Sequence, residues 1–296
     1  MKPTRGENIF QWFNYLFLTV LCFTFLFPFW RIAAISLNEG LDASRGGINF
    51  WVRKFTLDNY IAVFSRGDIL NAYTISIGRT VIGTLLSIFL ISLMAYGLSK
   101  NRLKGRKLIN FMLILTLFFS GGLIPTYMLY KSLYLLNSFW VYVVPSLYGA
   151  AAVFIFRSFF RTLPQELEES AQIDGANDLI IFARIAIPLS MPIFATMALF
   201  SAVGHWNDYL TAVIYTTNEH LLPLQTLLMK VMNINQNESG SLAFGAVNLS
   251  DASRRTVTAE SVKMAMLMVV VLPILVLYPF LQRYFVKGMI IGSLKG

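Results

Sequence analysis

The chain has 296 residues, of which 56% are hydrophobic and only 13% charged, against about 25% charged in an ordinary soluble domain. Its formal charge is +9, yet the basic residues are scattered over short links between apolar runs and never form the clustered patch that nucleic-acid binding needs, which excludes nucleic acid as a partner. A single cysteine, Cys22, excludes an intrachain disulfide and a thiolate metal cluster.

The apolar residues come in runs long enough to cross about 30 Å of hydrocarbon as helix. The first run, 14–37, follows Met1-Lys2-Pro3-Thr4-Arg5. It is too long for a signal-peptide core and lacks a small-residue cleavage site, so it reads as a retained first helix. Further runs fall at 76–98, 108–130, 139–157, 191–215 and 263–285. Unbroken stretches such as Leu85-Leu86-Ser87-Ile88-Phe89-Leu90-Ile91 lack the alternation of a barrel strand. The expectation is an all-α polytopic membrane protein, one transmembrane domain over 1–296 with about six spanning helices.

Orientation follows the link Ser99–Lys107, which carries Lys100, Arg102, Lys104, Arg106 and Lys107 and no acid. Such a link faces the cytoplasm. Both termini and the link 158–190 then share that side, while 38–75, 131–138 and 216–262 face outside. Arg5, Arg283 and Lys287 agree, whereas Arg45, Arg53, Lys54 and Arg66 sit in the first outer segment, a longer loop where charge counts less. Within 216–262, the polar stretch Asn233–Ser241 reads as an exposed loop.

Ionisable groups inside spans are costly and face cavities or partners. Here they are Arg31, Arg79, His205 and Asp208. The two arginines are expected near the outer ends of their spans, snorkelling to the interface. The run His205-Trp206-Asn207-Asp208-Tyr209 places polar donors and acceptors beside stacking rings, a candidate sugar pathway through Trp206, Asn207, Asp208 and Tyr209. Helix–helix hydrogen bonding explains the same residues equally well. Pro125, Pro145, Pro192 and Pro273 are expected to bend helices around a cavity.

The link 158–190 is long and acidic: Glu166, Glu168, Glu169, Asp174 and Asp178 outnumber Arg161 and Arg184. Pro164 suits a helix start, Leu167 and Ala171 share a face, Gly175 is a natural stop, and Asn177 or Asp178 can cap a second short helix ending before Pro188. Two short helices with an acidic face form a docking knob for a basic cleft, or else a solvated re-entry loop.

Glu169-Ser170-Ala171, then Asp174-Gly175-Ala176, then Ile185-Ala186-Ile187-Pro188 resembles the EAA signature of permease subunits of ATP-binding-cassette (ABC) importers, with Ser170 in place of an alanine and Ile187 in place of a leucine. Leu57-Asp58-Asn59-Tyr60, Ala95-Tyr96-Gly97-Leu98-Ser99, Trp206-Asn207-Asp208 and Tyr278-Pro279-Phe280 extend the resemblance along the chain. Together they are similar to the six-span subunit of the maltose-permease-type carbohydrate branch. The ending Arg283-Tyr284-Phe285-Val286-Lys287-Gly288 is similar to the branch that imports oligosaccharides of complex polysaccharides such as alginate.

The resemblance implies a type I importer fold in a bacterial inner membrane. It implies, as partners, a second homologous permease, a dimer of ABC ATPase subunits, an extracytoplasmic solute-binding protein, an oligosaccharide substrate and membrane lipid. Glu166, Glu169, Ser170, Ala171, Asp174, Gly175, Ile185 and Pro188 would couple to the ATPase, and the tail residues Lys295 and Gly296 would reach its interface. No G-x-x-x-x-G-K-[ST], H-E-x-x-H or G-x-S-x-G motif is found, so the chain is read as no enzyme, with no catalytic residue, metal or cofactor of its own; ATP and magnesium would be bound by the ATPase subunits. Arg79 and the basic outer segment fit anionic oligosaccharides. An ion-coupled secondary transporter, or an intramembrane enzyme using His205 and Asp208 with His220, is the alternative; the first lacks a visible repeat and the second a zinc ligand set.

Overall fold

The computed structural model describes residues 4–233 and 257–293, with backbone only from 277 onward. Lys295, Gly296 and most of the stretch Asn233–Ser241 therefore lie outside the described residues. Everything regular among the described residues is helical, and one isolated antiparallel bridge joins Asn38 to Phe55. The chain divides into two compact units, one of residues 1–69 with 230–272 and the other of residues 70–229 with 273–296.

The first unit opens with α1 (Arg5–Ser36), started by a capping box in which Thr4 and Glu7 exchange side-chain and backbone hydrogen bonds. Its apolar window is wholly unburied by the rest of the chain, as expected for a helix whose solvent is lipid or another subunit. The short helices α2 (Gly40–Ser44) and α3 (Asp58–Phe64) follow. Asn38 is their hub: its Oδ1 accepts from the amides of Arg53 and Lys54 at 2.9 and 2.8 Å, and its Nδ2 donates to Asp42 at 3.0 Å. Asn59, fully buried, donates to the carbonyls of Ser36 and Asn38 and accepts from Ser261 at 2.7 Å. So the Asn of Leu57-Asp58-Asn59-Tyr60 is a structural tie, and Tyr60 adds a hydroxyl contact of 2.8 Å to Ser36.

The second unit is built on α4 (Ile69–Ser99), continuous over 31 residues. It is followed by α5 (Arg106–Phe118), α6 (Leu123–Ser132), two 3-10 turns over 139–147, α7 (Ala150–Phe160), α8 (Gln165–Ile173), α9 (Asp178–Ile181), a π-helical turn over 182–186, α10 (Ile187–Leu189), α11 (Met191–Asn207), α12 (Leu210–Tyr215) and α13 (Leu224–Asn233). The last helix, α14 (Ala259–Ser293), has its residues up to 272 in the first unit. An apolar core of Ile91, Ala95, Tyr96, Leu98, Val153, Phe156, Phe160, Phe182 and neighbours joins the C-terminal half of α4 to α5, α7 and the π turn.

Among the described residues three helices are long and apolar enough to span a membrane unaided, and three bent pairs bring the number to six if each pair is one span. The uninterrupted helices expected over 108–130, 139–157 and 191–215 do not form. The first breaks between α5 and α6 with a bend of 118°, at Gly121-Gly122, where Gly122 takes φ +81°, a conformation that glycine adopts without steric cost. The second bends by 46° ahead of α7, and the third run ends at Asn207 and restarts as α12. Another bend, of 83°, falls at Ser190 just ahead of α11. Pro125 and Pro192 lie in the first turn after such a break, and Pro145 in the first turn of the 3-10 helix that precedes the 46° bend, positions where a missing N–H costs nothing. Pro273 stands inside the unbroken α14.

The segment 216–262, read from sequence as an external loop, is partly helical among its described residues. In α13, Leu224, Leu227, Leu228 and Val231 are buried, an i, i+3, i+4, i+7 stripe that the polar sequence after it obscured.

Candidate functional site

The acidic knob forms as two short helices. Pro164 precedes α8, and Glu166 and Glu168 in its first turn face the positive end of the helix dipole, each stabilising by about 0.3–1 kcal/mol. Its C-terminus is a Schellman turn: Ala176 N–H donates to Ala171 C=O at 2.9 Å and Gly175 N–H to Gln172 C=O at 3.0 Å. Gly175 holds φ +83°, which a side chain would oppose. Asn177 then caps α9, accepting from Ile180 N–H at 2.9 Å.

Glu166, Glu169, Ser170, Asp174, Gly175 and Pro188 are exposed, and Ala171 and Ile185 half-buried. Ile173 and Leu179 also face outward, 87% and 63% exposed, an apolar pair beside the acids. Among the described residues Glu166, Glu169 and Asp174 make no ion pair, whereas Glu168 pairs with Lys100 and Asp178 with Arg102. A polar cleft of about 340 Å³ separates the Lys100–Arg102 link from α8, lined by Arg161, Glu168, Glu169 and Gln172 among others.

A second polar cluster surrounds Arg79 on α4. Its side chain is 1% exposed, so it does not snorkel; the expectation of an arginine at the interface fails because its hydrogen bonds lie inside the chain. Nη2 donates to the carbonyls of Asp208 at 2.6 Å and Trp206 at 3.3 Å, groups freed where α11 stops. Asp208 Oδ2 stands 3.8 Å from Nη1, its Oδ1 accepts from Thr211 N–H at 3.1 Å to start α12, and the Tyr142 ring centroid lies 5.3 Å from the guanidinium. Arg79 thus supplies the donor that a break in a span requires. Arg31, by contrast, is exposed.

The sequence profile described as "Binding-protein-dependent transport system inner membrane component" matches residues 1–291. The chain belongs to this family. It is similar to the "Polygalacturonan/rhamnogalacturonan transport system permease protein YtcP" of Bacillus subtilis, at 38% identity over 98% of this chain and 99% of that protein. Protein LplC of the same organism is 39% identical, over 100% of this chain and 98% of LplC. Among solved structures, a chain of "a bacterial ABC transporter involved in the import of the acidic polysaccharide alginate" superposes with a TM-score of 0.87 at 28% identity, covering 96% of this chain and 99% of that one.

The chain is therefore a membrane-embedded permease component of an ABC importer, and ATP hydrolysis resides in other subunits of such transporters. The secondary-transporter and intramembrane-enzyme alternatives fall with that assignment. The permease brings the coupling candidates Glu166 to Pro188 onto one projecting segment, but it divides the pathway candidates. Trp206 is buried, Asp208 is held between Arg79 and α12, and Asn207 and Tyr209 are exposed. His205 packs on Gly83 of α4, where an added Cβ would sit 2.5 Å from its Nε2. Arg79 gives only its Nη2 to the carbonyls and stands 3.8 Å from Asp208, while its Nε and Nη1 are buried without a hydrogen-bond partner among the described residues. Sequence reasoning missed Lys100 and Arg102 as partners of the knob, since their surplus of charge was already explained by orientation.

Proposed function

We propose that this permease is one of a pair of homologous membrane subunits in a bacterial cytoplasmic membrane, with both termini cytoplasmic, and that it carries sugars or oligosaccharides delivered by an external binding protein. The names of its relatives, with polygalacturonan, rhamnogalacturonan and alginate among their substrates, support oligosaccharides of complex polysaccharides as cargo. The permease pair sits on two ABC ATPase subunits, which bind ATP and magnesium, and the 158–190 knob is this chain's contact with them. The carrying observation is the knob itself: two short helices, joined by a Schellman turn at Gly175, that present Glu166, Glu169 and Asp174 without ion partners among the described residues, beside exposed Ile173 and Leu179. Charge and apolar surface in one small patch suit a cleft of opposite charge.

In this reading Ser170 and Ala171 let the ATPase approach α8 closely, while Ile185 and Pro188 lead from the knob towards α11. Closure of the ATPase pair moves the knob and switches the permease between inward- and outward-open states. Lys295 and Gly296 extend the same contact, and Trp206, Asn207, Asp208 and Tyr209 border the sugar path.

Co-expression with the second permease and the ATPase, purified through a tag on this chain, tests the reading. The ATPase is expected to co-purify with the parent, and its activity to rise with the binding protein and oligosaccharide. The Glu169→Ala, Gly175→Pro double variant is expected to lose the ATPase, because proline cannot adopt the required positive φ. A parent that inserts correctly but never retains the ATPase overturns the docking assignment.

A further inference from the structure

The link between α4 and α5 grips the knob at two points. Lys100 pairs with Glu168 of α8 and Arg102 with Asp178 of α9, one on each side of the Gly175 turn, so both short helices are tied to the end of α4. The two pairs are not equivalent. Arg102 and Asp178 are each 56% exposed, and such pairs contribute little. Lys100 and Glu168 are only 18% and 17% exposed, and the Lys100 ammonium also lies 4.1 Å from the centroid of the Tyr96 ring. That ring is buried against Phe160 and Phe182, at 5.7 and 5.2 Å between centroids.

Besides its direct joint to α7 through residues 161–164, the knob has two ways to pass a displacement into the spanning helices. One is covalent, through α9, the π turn and α10, but it runs through an irregular turn and then the 83° break at Ser190, where helices yield most readily. The other passes through Lys100 into α4, which is continuous from Ile69 to Ser99. From Lys100 back to Arg79 this helix covers about 30 Å at 1.5 Å per residue. Arg79 in turn holds the broken end of α11.

We propose that Lys100 is a positioning residue for coupling: its pair with Glu168 makes the knob and α4 move as one body, so that a push on the knob reaches the Arg79–Asp208 junction along α4. Arg102 is an auxiliary tie. The inference rests on the reading of the knob as the ATPase dock, and it assigns Glu168 a different task from Glu169, one facing inward to Lys100 and the other outward to a partner.

The test uses the whole transporter in proteoliposomes, with oligosaccharide uptake and ATP hydrolysis measured together. Lys100→Glu and Glu168→Lys are each expected to retain the ATPase in the purified complex while uptake per ATP falls by roughly tenfold, within the usual range for coupling between sites. The charge-swapped double variant is expected to recover to within about twofold, which mere packing at either position does not produce. Unchanged uptake per ATP in the single variants overturns the proposal, as does a double variant that binds the ATPase but does not recover. Loss of the ATPase from the single variants overturns it too, since Lys100 would then act in docking. A parent complex that never retains the ATPase is instead the failure of the docking reading.

Where a reversed charge prevents accumulation, cysteines at 100 and 168 in a Cys22→Ser background, bridged by a short bifunctional thiol reagent, supply the second measurement. Retained uptake after bridging is expected of two groups that move together. Inhibition shows that they must separate during the cycle, and overturns the proposal.

Discussion

Arg79 and Asp208 stand in a run of otherwise apolar helices, and their pairing follows from a backbone need. Where α11 ends at Asn207, the carbonyls of Trp206 and Asp208 lose their helical donors, and Arg79 Nη2 serves both. A cation at a helix C-terminus also meets the negative end of the dipole. Arg79→Met is therefore expected to destabilise the permease by about 1–3 kcal/mol for each carbonyl left without a donor. The expected readout is a lower unfolding temperature in detergent, with a smaller loss for Asp208→Asn, which keeps the cap on Thr211. Equal stability of Arg79→Met and the parent would show that water reaches those carbonyls. From sequence, Arg79 was legible as a costly intramembrane charge, but its partner lies 129 residues away, beyond any local pattern.

At the scale of elements, the segment between α1 and α3 is ordered by a polar network centred on Asn38. Asp42 is one of its ionisable members, and its carboxyl is held below the usual aspartate value, first by the Asn38 hydrogen bond and then by Arg53, against the opposing effect of burial. A depressed carboxylate contributes its stability at neutral and mildly acidic pH and loses it as pH falls through the lowered pKa, below about 4. In a variant whose only tryptophans are Trp30 and Trp51, fluorescence is expected to be flat from about pH 8 to 5 and to change below about 4. Trp30 reports because its indole N–H donates to Phe50 C=O at 2.8 Å. In Asp42→Asn the acid transition should disappear, and a transition that persists unchanged would assign it elsewhere. The helices of this region were poorly legible, since α2 and α3 have 5 and 7 residues and so carry too few turns for periodicity to show. The knob was legible despite similar lengths, because Pro164, Gly175 and Asn177 mark its ends with backbone chemistry that acts locally.

For the molecule as a whole, the proposed orientation gives a labelling pattern. In a Cys22→Ser background, a cysteine at Glu169 is expected to react with an impermeant maleimide only from the cytoplasmic side, and one at Arg45 only from outside. Reaction of both from one side overturns the orientation. Both positions are exposed, so access is limited by the membrane and not by packing.

What the sequence by itself determined is what depends on short stretches of chain. Run length fixed helices over strands, lysine and arginine placement gave an expected orientation, and the spacing from Glu169 through Gly175 to Pro188 marked the permease family. The tertiary structure decided which polar groups meet and where spans break. Lys100 joins Glu168 across 68 residues, and Arg79 joins the end of α11 across more. Those choices depend on which backbone groups are left without donors and which charges lie within reach once the helices have packed, and composition and periodicity carry neither.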